Sequence, residues 1–321
     1  MAKVLVTGGA GFIGSHIVDA YLGQGHQVMV VDSLETGSIH YVNSGARFCQ
    51  TDILDPSLDT MIAQERPTVV SHHAAQASIS RSVADPVRDA RTNILGSIRL
   101  LELARRYGAA NFIFASSGGA VYGLQQSYPA DEDHPLNPIN AYGIGKLTVE
   151  RYLEYYRAAY GIRYISLRYA NVYGPRQDPH GEAGVVAIFL GRLLEGKRPI
   201  IYGDGQQTRD FVHVGDVVRA NVLAMDLLLR GGEIPLAGSP VFNIATGRES
   251  SVLQILELLT SILRCPRECH FEPPRAAELR RSVLDYQRAR RVLNWEPTLS
   301  LEEGLRDAAA WFQARRESEA V

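Results

Sequence analysis

The sequence predicts a doubly wound parallel α/β sheet carrying a smaller C-terminal α/β lobe, and three observations predict it. Lys3–Thr7 is an apolar run of strand length that breaks into glycines at 8, 11 and 14. Phe12, Ile13, Ile17, Ala20 and Tyr21 then recur at helical spacing, and a second apolar run, Val28–Val31, closes on Asp32. Strand-length runs that alternate with helical patterns continue through the first half of the chain.

Each glycine of the first turn has a separate task. One makes a turn too tight for a side chain and one lets the backbone approach a pyrophosphate at the helix N-terminus. The third packs the helix closely on the strand. Phe12 and Ile13 open that helix. Asp32 stands where a carboxylate accepts both ribose hydroxyls and repels a 2′-phosphate, so the expected cofactor is NAD rather than NADP.

Beyond Asp32, a short strand near 46–49 is expected to end at Asp52 and Ile53. These two suit an adenine amine and ring, or equally a turn residue and its core neighbour. The strand Pro67–His72 opens into Ala74 and Ala75, small residues that leave room for a cofactor crossing the sheet edge. A single helix is expected from about Val87 to Tyr107, with Ile94, Leu95, Ile98, Leu101, Leu103 and Ala104 as its apolar face. Asn93 on it either faces the nicotinamide ribose or is solvated.

Asn111–Ser117 is a further strand with Ser116 and Ser117 at its tip, and hydroxyls at a strand's C-terminal end point into the ligand crevice; the alternative is a pair of turn serines. A proline-punctuated loop leads to a helix from Asn140 to about Tyr160, where Tyr142 and Lys146 stand four apart on one face. A phenol is a poor base at neutral pH. A nearby ammonium, a positive nicotinamide ring and the helix N-terminus are expected to lower its pKa, with Ser117 sharing the substrate proton.

Composition bounds the rest. At 321 residues and 45% hydrophobic content, the chain can bury a full core and form two lobes. With 33 basic and 35 acidic residues interspersed, there is no basic field for nucleic acid or a membrane surface. No apolar run approaches a membrane span and the N-terminus enters a strand at once, so a cytoplasmic location is expected. Three cysteines make no disulfide framework. Cys265 and Cys269 lack a second ligand pair, and His72–His73 suits a packed strand end, so no metal site is expected.

On these residues the chain resembles the extended short-chain dehydrogenase/reductase superfamily, and within it the nucleotide-sugar epimerases and dehydratases, over essentially its whole length. The resemblance implies a Rossmann sheet and a Ser117, Tyr142, Lys146 catalytic set. Chain segments Leu167–Arg176, Ile201–Val214 and Pro274–Glu278 resemble the family's substrate-binding stretches. They imply that Asn171, Arg209 and Arg275 hold the substrate diphosphate and Glu278 the nucleotide ribose. Two arginines and an asparagine from separate loops are what a diphosphate needs in a protein of near-zero net charge.

Where the family's dehydratases place an acid after the strand-tip hydroxyl, this chain has Gly118-Gly119-Ala120, which speaks against dehydration. Ser282 stands where a tyrosine in 4-epimerases excludes an N-acetyl group, so the N-acetylated sugar is admissible. Against the family pattern there is one extra residue between Phe114 and Val121, so counting from the strand puts the hydroxyl at Ser117 while counting back from Val121-Tyr122-Gly123 puts Gly118 there, which has none. Ser117 is preferred and Ser116 is the fallback.

The expectation is therefore NAD-dependent 4-epimerisation of a UDP-hexose, UDP-glucose/UDP-galactose and the N-acetylated pair, by transient oxidation to a 4-keto sugar. A uronic-acid epimerase, a dehydratase or a non-catalytic NAD-binding scaffold are the alternatives. Residues 1–173 form the NAD domain, 214–245 return to it, and 174–321 are mainly the substrate lobe. As in the family, the helices at 87–107 and 142–160 are expected to pair a homodimer. The tail from Arg315 to Glu319 is expected to be frayed.

Overall fold

The computed structural model describes residues 1–180, 184–231, 234, 238–274 and 279–319. Its strands are β1 (Lys3–Thr7), β2 (Gln27–Asp32), β3 (Arg47–Gln50), β4 (Val69–His72), β5 (Asn111–Ser117), β6 (Arg163–Tyr169), β7 (Asn171–Tyr173), β8 (Ile200–Tyr202), β9 (Thr208–His213), β10 (Val241–Ile244), β11 (Glu249–Ser251) and β12 (His270–Glu272). The α-helices are α1 (Phe12–Gly23), α2 (Ser57–Glu65), α3 (Ile79–Ala84), α4 (Pro86–Ala90), α5 (Gly96–Tyr107), α6 (Gly118–Val121), α7 (Ala141–Tyr160), α8 (Val185–Leu194), α9 (Val214–Arg230), α10 (Val252–Leu263), α11 (Gln287–Leu293) and α12 (Leu301–Glu319).

Seven strands form one parallel sheet in the order β10-β6-β5-β4-β1-β2-β3. The chain leaves β1 toward β2 on one side and later toward β4 on the other. The crevice at this reversal is where open α/β sheets bind ligands. The inner strand β4 is buried at every residue because helices cover both faces of the sheet.

On one face α1, α9 and α11 pack through Ile17, Tyr21, Ala224, Leu228 and Ala289, joined by Trp295. On the other, α2, α5 and α7 pack through Leu58, Ile62, Leu100, Leu101, Val149 and Leu153. The segment after β9 thus supplies α9 and the edge strand β10 to the large sheet.

The smaller lobe carries a three-stranded sheet, β11-β9-β7, and the parallel pair β12-β8. Its core joins α8, α10 and α12 through Phe189, Leu190, Ile255, Leu259, Leu305 and Phe312. β7 begins two residues after β6 ends, so the chain crosses from one lobe to the other at Ala170.

Three local expectations are corrected. The helix expected from Val87 to Tyr107 is interrupted: α4 ends at Ala90, Arg91–Leu95 form a π turn, and α5 begins at Gly96. The wider turn rotates the helical face. Leu100, Leu101, Leu103 and Ala104 are buried while Leu95 is 56% exposed. β3 ends at Gln50, short of Asp52. The C-terminal tail is helical as far as Glu319, and Arg315 Nη1 donates to the Tyr41 hydroxyl at 2.8 Å.

Candidate active site

The glycine turn lies at the C-terminal edge of β1. Gly8 adopts φ +71°, and a Cβ there would stand 2.6 Å from the Ala74 nitrogen. A Cβ on Gly14 would stand 2.1 Å from the Gly8 carbonyl oxygen, so neither position admits a side chain. Gly11 caps α1 without a side chain, which leaves the first-turn N–H groups for an anion. Asp32 Oδ2 accepts from the Ala10 N–H at 3.0 Å and Oδ1 from the Leu34 N–H at 2.8 Å. The acid at the end of β2 is thereby tied to the glycine turn of β1. This cradle and its acid fit a dinucleotide with a free ribose diol.

The neighbouring candidates fall differently. Asp52 is exposed and accepts from the Leu54 N–H at 2.7 Å within its own turn. Ile53 is buried, and a Cβ on Gly96 of α5 would stand 2.4 Å from its Cδ1. Ala74 and Ala75 follow β4 at the crevice, half-buried. Asn93 is buried in the π turn, so it is not a solvated residue. Its Oδ1 accepts from the Gln76 N–H and its Nδ2 donates to the Gln76 carbonyl, both at 2.9 Å.

Ser117, Tyr142 and Lys146 come together where β5 meets α7. Asn140 caps α7 by accepting from the Gly143 N–H at 2.8 Å, and this fixes the first turn that carries Tyr142. Ser117 faces the Tyr142 hydroxyl and works to lower the phenol's pKa. Ser116 points away and donates to Glu150 Oε1 at 2.7 Å. Of the two strand-tip hydroxyls, Ser117 is the one beside the phenol. Lys146 is buried, donates to the Ala115 carbonyl at 2.7 Å, and sits 5.7 Å from the Tyr142 ring centroid.

Burial governs both titrations in the chain by itself. Tyr142 is pushed up to about 12, with Ser117 working the other way and the Asp89 charge adding to the rise. Burial brings Lys146 down to about 8, against the pull of Asp89 and Glu150. The lowering of the phenol expected from the ammonium is therefore not found in the protein alone.

These groups open into a cleft of about 1090 Å³ between the lobes, lined by Phe12, Ile13, Ser117, Tyr142, Asn171, Gln177, Tyr202, Arg209 and Phe211. Asn171 opens β7 and Arg209 lies on β9, whose strands pair in parallel. Arg275 and Glu278 lie outside the described residues. Ser282 is buried, and its N–H donates to the Thr208 carbonyl at 3.2 Å. Leu279, rather than Ser282, is the described residue of that segment on the cleft wall.

Sequence reasoning missed four residues around the catalytic pair: half-buried Gln76 and buried Asp89, Glu150 and Arg168. A signal existed for two of them. Glu150 is four residues after Lys146 and Asp89 four before Asn93, helical spacings that put each beside a residue already singled out.

Residues 4–245 match the model of the NAD dependent epimerase/dehydratase family, and the chain belongs to that family. It is 45% identical over 316 residues to the UDP-glucose 4-epimerase of Mycolicibacterium smegmatis, with 97% of this chain and 98% of that one covered. Among solved structures, it resembles the UDP-glucose 4-epimerase of Thermotoga maritima with UDP-glucose. The TM-score is 0.93 at 47% identity, over 98% of this chain and 99% of that one. It also resembles the UDP-glucose 4-epimerase of Thermus thermophilus in complex with NAD, with a TM-score of 0.89 at 41% identity, over 97% and 99% of the two chains. Among the described residues, no helix is long and apolar enough to cross a membrane.

Proposed function

We propose that this enzyme interconverts UDP-glucose and UDP-galactose by NAD-dependent 4-epimerisation, with the N-acetylated pair as further candidates. The observation that carries the reading is Ser117 set against the Tyr142 phenol beside buried Lys146, in a cleft that Phe12 and Ile13 of the glycine turn also line.

Gly8, Gly11, Gly14, Asp32 and the small residues Ala74 and Ala75 hold the cofactor in this reading. NAD, when bound, supplies a reversible hydride acceptor for the sugar C4, and its positive ring favours the Tyr142 phenolate. Tyr142 takes the proton of the 4-hydroxyl, Ser117 shares it, and Lys146 keeps a positive charge beneath. Asn171 and Arg209, with Arg275, grip the diphosphate. The binding energy then rests on the nucleotide and the oxidised sugar can turn to present its other face.

The enzyme is a homodimer in this reading and works in the cytoplasm. Val87, Leu95 and Tyr155, which are 77%, 56% and 52% exposed, offer apolar surface near α5 and α7 for a second copy. A monomer in solution scattering at working concentration contradicts that assembly.

Product analysis with UDP-glucose, UDP-N-acetylglucosamine and UDP-glucuronate, each without added reductant, tests the function. Formation of one 4-epimer, abolished by Tyr142→Phe, is the expected result. A keto product points to dehydration, and absence of turnover on all three overturns the reading.

A further inference from the structure

Asp89 is a buried carboxylate with no part in the reaction above. It lies on α4, 1% exposed, and among the described residues it has no ion-pair partner. Its Oδ1 accepts from Gln76 Nε2 at 2.9 Å and from Asn93 Nδ2 at 3.0 Å. Its Oδ2 faces α7 at Gly145, where a Cβ would stand 3.7 Å away. Gly145 lies between Tyr142 and Lys146, so the carboxylate packs under the turn that carries both.

The other side of this cluster is a cleft wall. The Gln76 main chain is held twice by Asn93, and its side chain folds over Ser78, accepting from the Ser78 N–H at 2.7 Å and donating to its carbonyl at 2.8 Å. The segment continues directly into Ala77, Ile79 and Ser80, which line the cleft. The π turn at Arg91–Leu95 is what carries Asn93 to Gln76, and such turns are retained where they serve a site.

We propose that Asp89 is a positioning residue of this reaction: one oxygen locks the Gln76–Ser78 segment to the cleft wall, and its charge beside Gly145 sets how readily Tyr142 and Lys146 exchange protons. The reaction it serves is the one proposed above.

The other charges around Lys146 leave this task to Asp89. Glu150 on α7 is engaged with Arg168 of β6. His72 and His73 at the end of β4 are kept neutral, His72 far below its usual range and His73 at about 3, both by burial with Lys146 adding to it. A lone negative charge makes phenol and ammonium alike hold their protons to higher pH.

The test is the pH profile of kcat and kcat/KM for UDP-glucose in the NAD-loaded enzyme. In Asp89→Asn the amide oxygen can take both hydrogen bonds while the charge is lost. Both limbs are expected to move to lower pH by about one unit, a tenfold change in proton concentration. Asp89→Glu keeps the charge and is expected to leave the limbs in place. Gln76→Met removes the bond to Asp89 and both bonds to Ser78 but leaves the charge, so it should raise KM without moving either limb. Ultraviolet titration of tyrosinate, taken as the difference from the matching Tyr142→Phe protein, needs no turnover and should show the same downward shift in Asp89→Asn.

Limbs and tyrosinate midpoint that stay put while kcat falls at every pH would reduce Asp89 to a structural residue. A parent protein inactive on every nucleotide sugar defeats the functional reading instead, and the tyrosinate comparison then decides for Asp89 alone.

Discussion

Glu150 and Arg168 form a doubly hydrogen-bonded pair, Nε to Oε1 at 3.0 Å and Nη2 to Oε2 at 2.7 Å, with side chains 5% and 4% exposed. One turn of α7 separates it from Lys146. Arg168 Nη1 also donates to the Tyr122 hydroxyl at 2.8 Å, which donates to Asn243 on β10 at 2.7 Å. The pair thus fastens α7 to the sheet beneath the catalytic turn. Removing one partner leaves the other charge buried and alone, so Glu150→Gln is expected to lose about 3–5 kcal/mol of unfolding free energy. The double replacement Glu150→Met with Arg168→Met should recover a large part of that. Denaturant unfolding of the three variants decides it, and a double variant no better than the single one argues against this account.

The same pair separates the two strand-tip serines. Ser116 donates to Glu150, so Ser116→Ala removes a buried donor, at about 1–2 kcal/mol in stability, and should leave kcat within a few-fold. Ser117 faces the phenol, so Ser117→Ala should lower kcat by about 10²-fold with little change in stability. Steady-state kinetics beside thermal melts separate the two. A larger kcat loss from Ser116→Ala would reverse the assignment.

The parts of this site that were legible in the sequence are those fixed by local geometry. The glycine turn requires glycine at set positions, and the spacing of Tyr142 and Lys146 is a property of one helix. What stayed hidden depends on neighbours distant in the chain. Asn93 reads as a polar residue on an apolar helix, and only its pairing with Gln76, 17 positions away, shows that its amide is spent on a loop. The π turn has no sequence mark, so Leu95, expected on the apolar face, stands exposed, while Leu101, Leu103 and Ala104 of α5 are buried as expected. The lowering of the phenol expected from Lys146 is absent because spacing reports proximity and not burial, and burial sets both pKa values here.

Gly14→Ala tests the cradle. Its methyl group would stand 2.1 Å from the Gly8 carbonyl oxygen, a backbone atom that cannot yield without opening the turn. The purified variant is expected to retain no NAD, as read from the absorbance and enzymatic assay of cofactor released on denaturation. Asp32→Ala, which strips the acceptor from the Ala10 and Leu34 N–H groups, should retain part of it. Full retention by Gly14→Ala would place the cofactor elsewhere.

Glu132 should make stability fall as pH rises. Its side chain is 2% exposed, with Oε1 accepting from the Asn243 N–H at 2.8 Å and Oε2 lying 3.4 Å from Arg288 Nε. Burial outweighs these partners and pushes the carboxyl from its ordinary 4.5 up to about 7. A folded pKa above the unfolded one means that the folded state binds the proton more tightly. The group's contribution is complete below about pH 4.5 and is lost as pH rises through about 7. Relative to Glu132→Gln, which does not titrate, the native protein should therefore lose unfolding free energy across that window. The slope is at most about 1.4 kcal/mol per pH unit, and the total is on the order of 3 kcal/mol. Urea unfolding of both proteins from pH 4.5 to pH 8 measures the difference. A difference that stays flat means that Arg288 holds Glu132 ionised throughout, and a difference that grows in favour of the native protein means that the ion pair outweighs its desolvation.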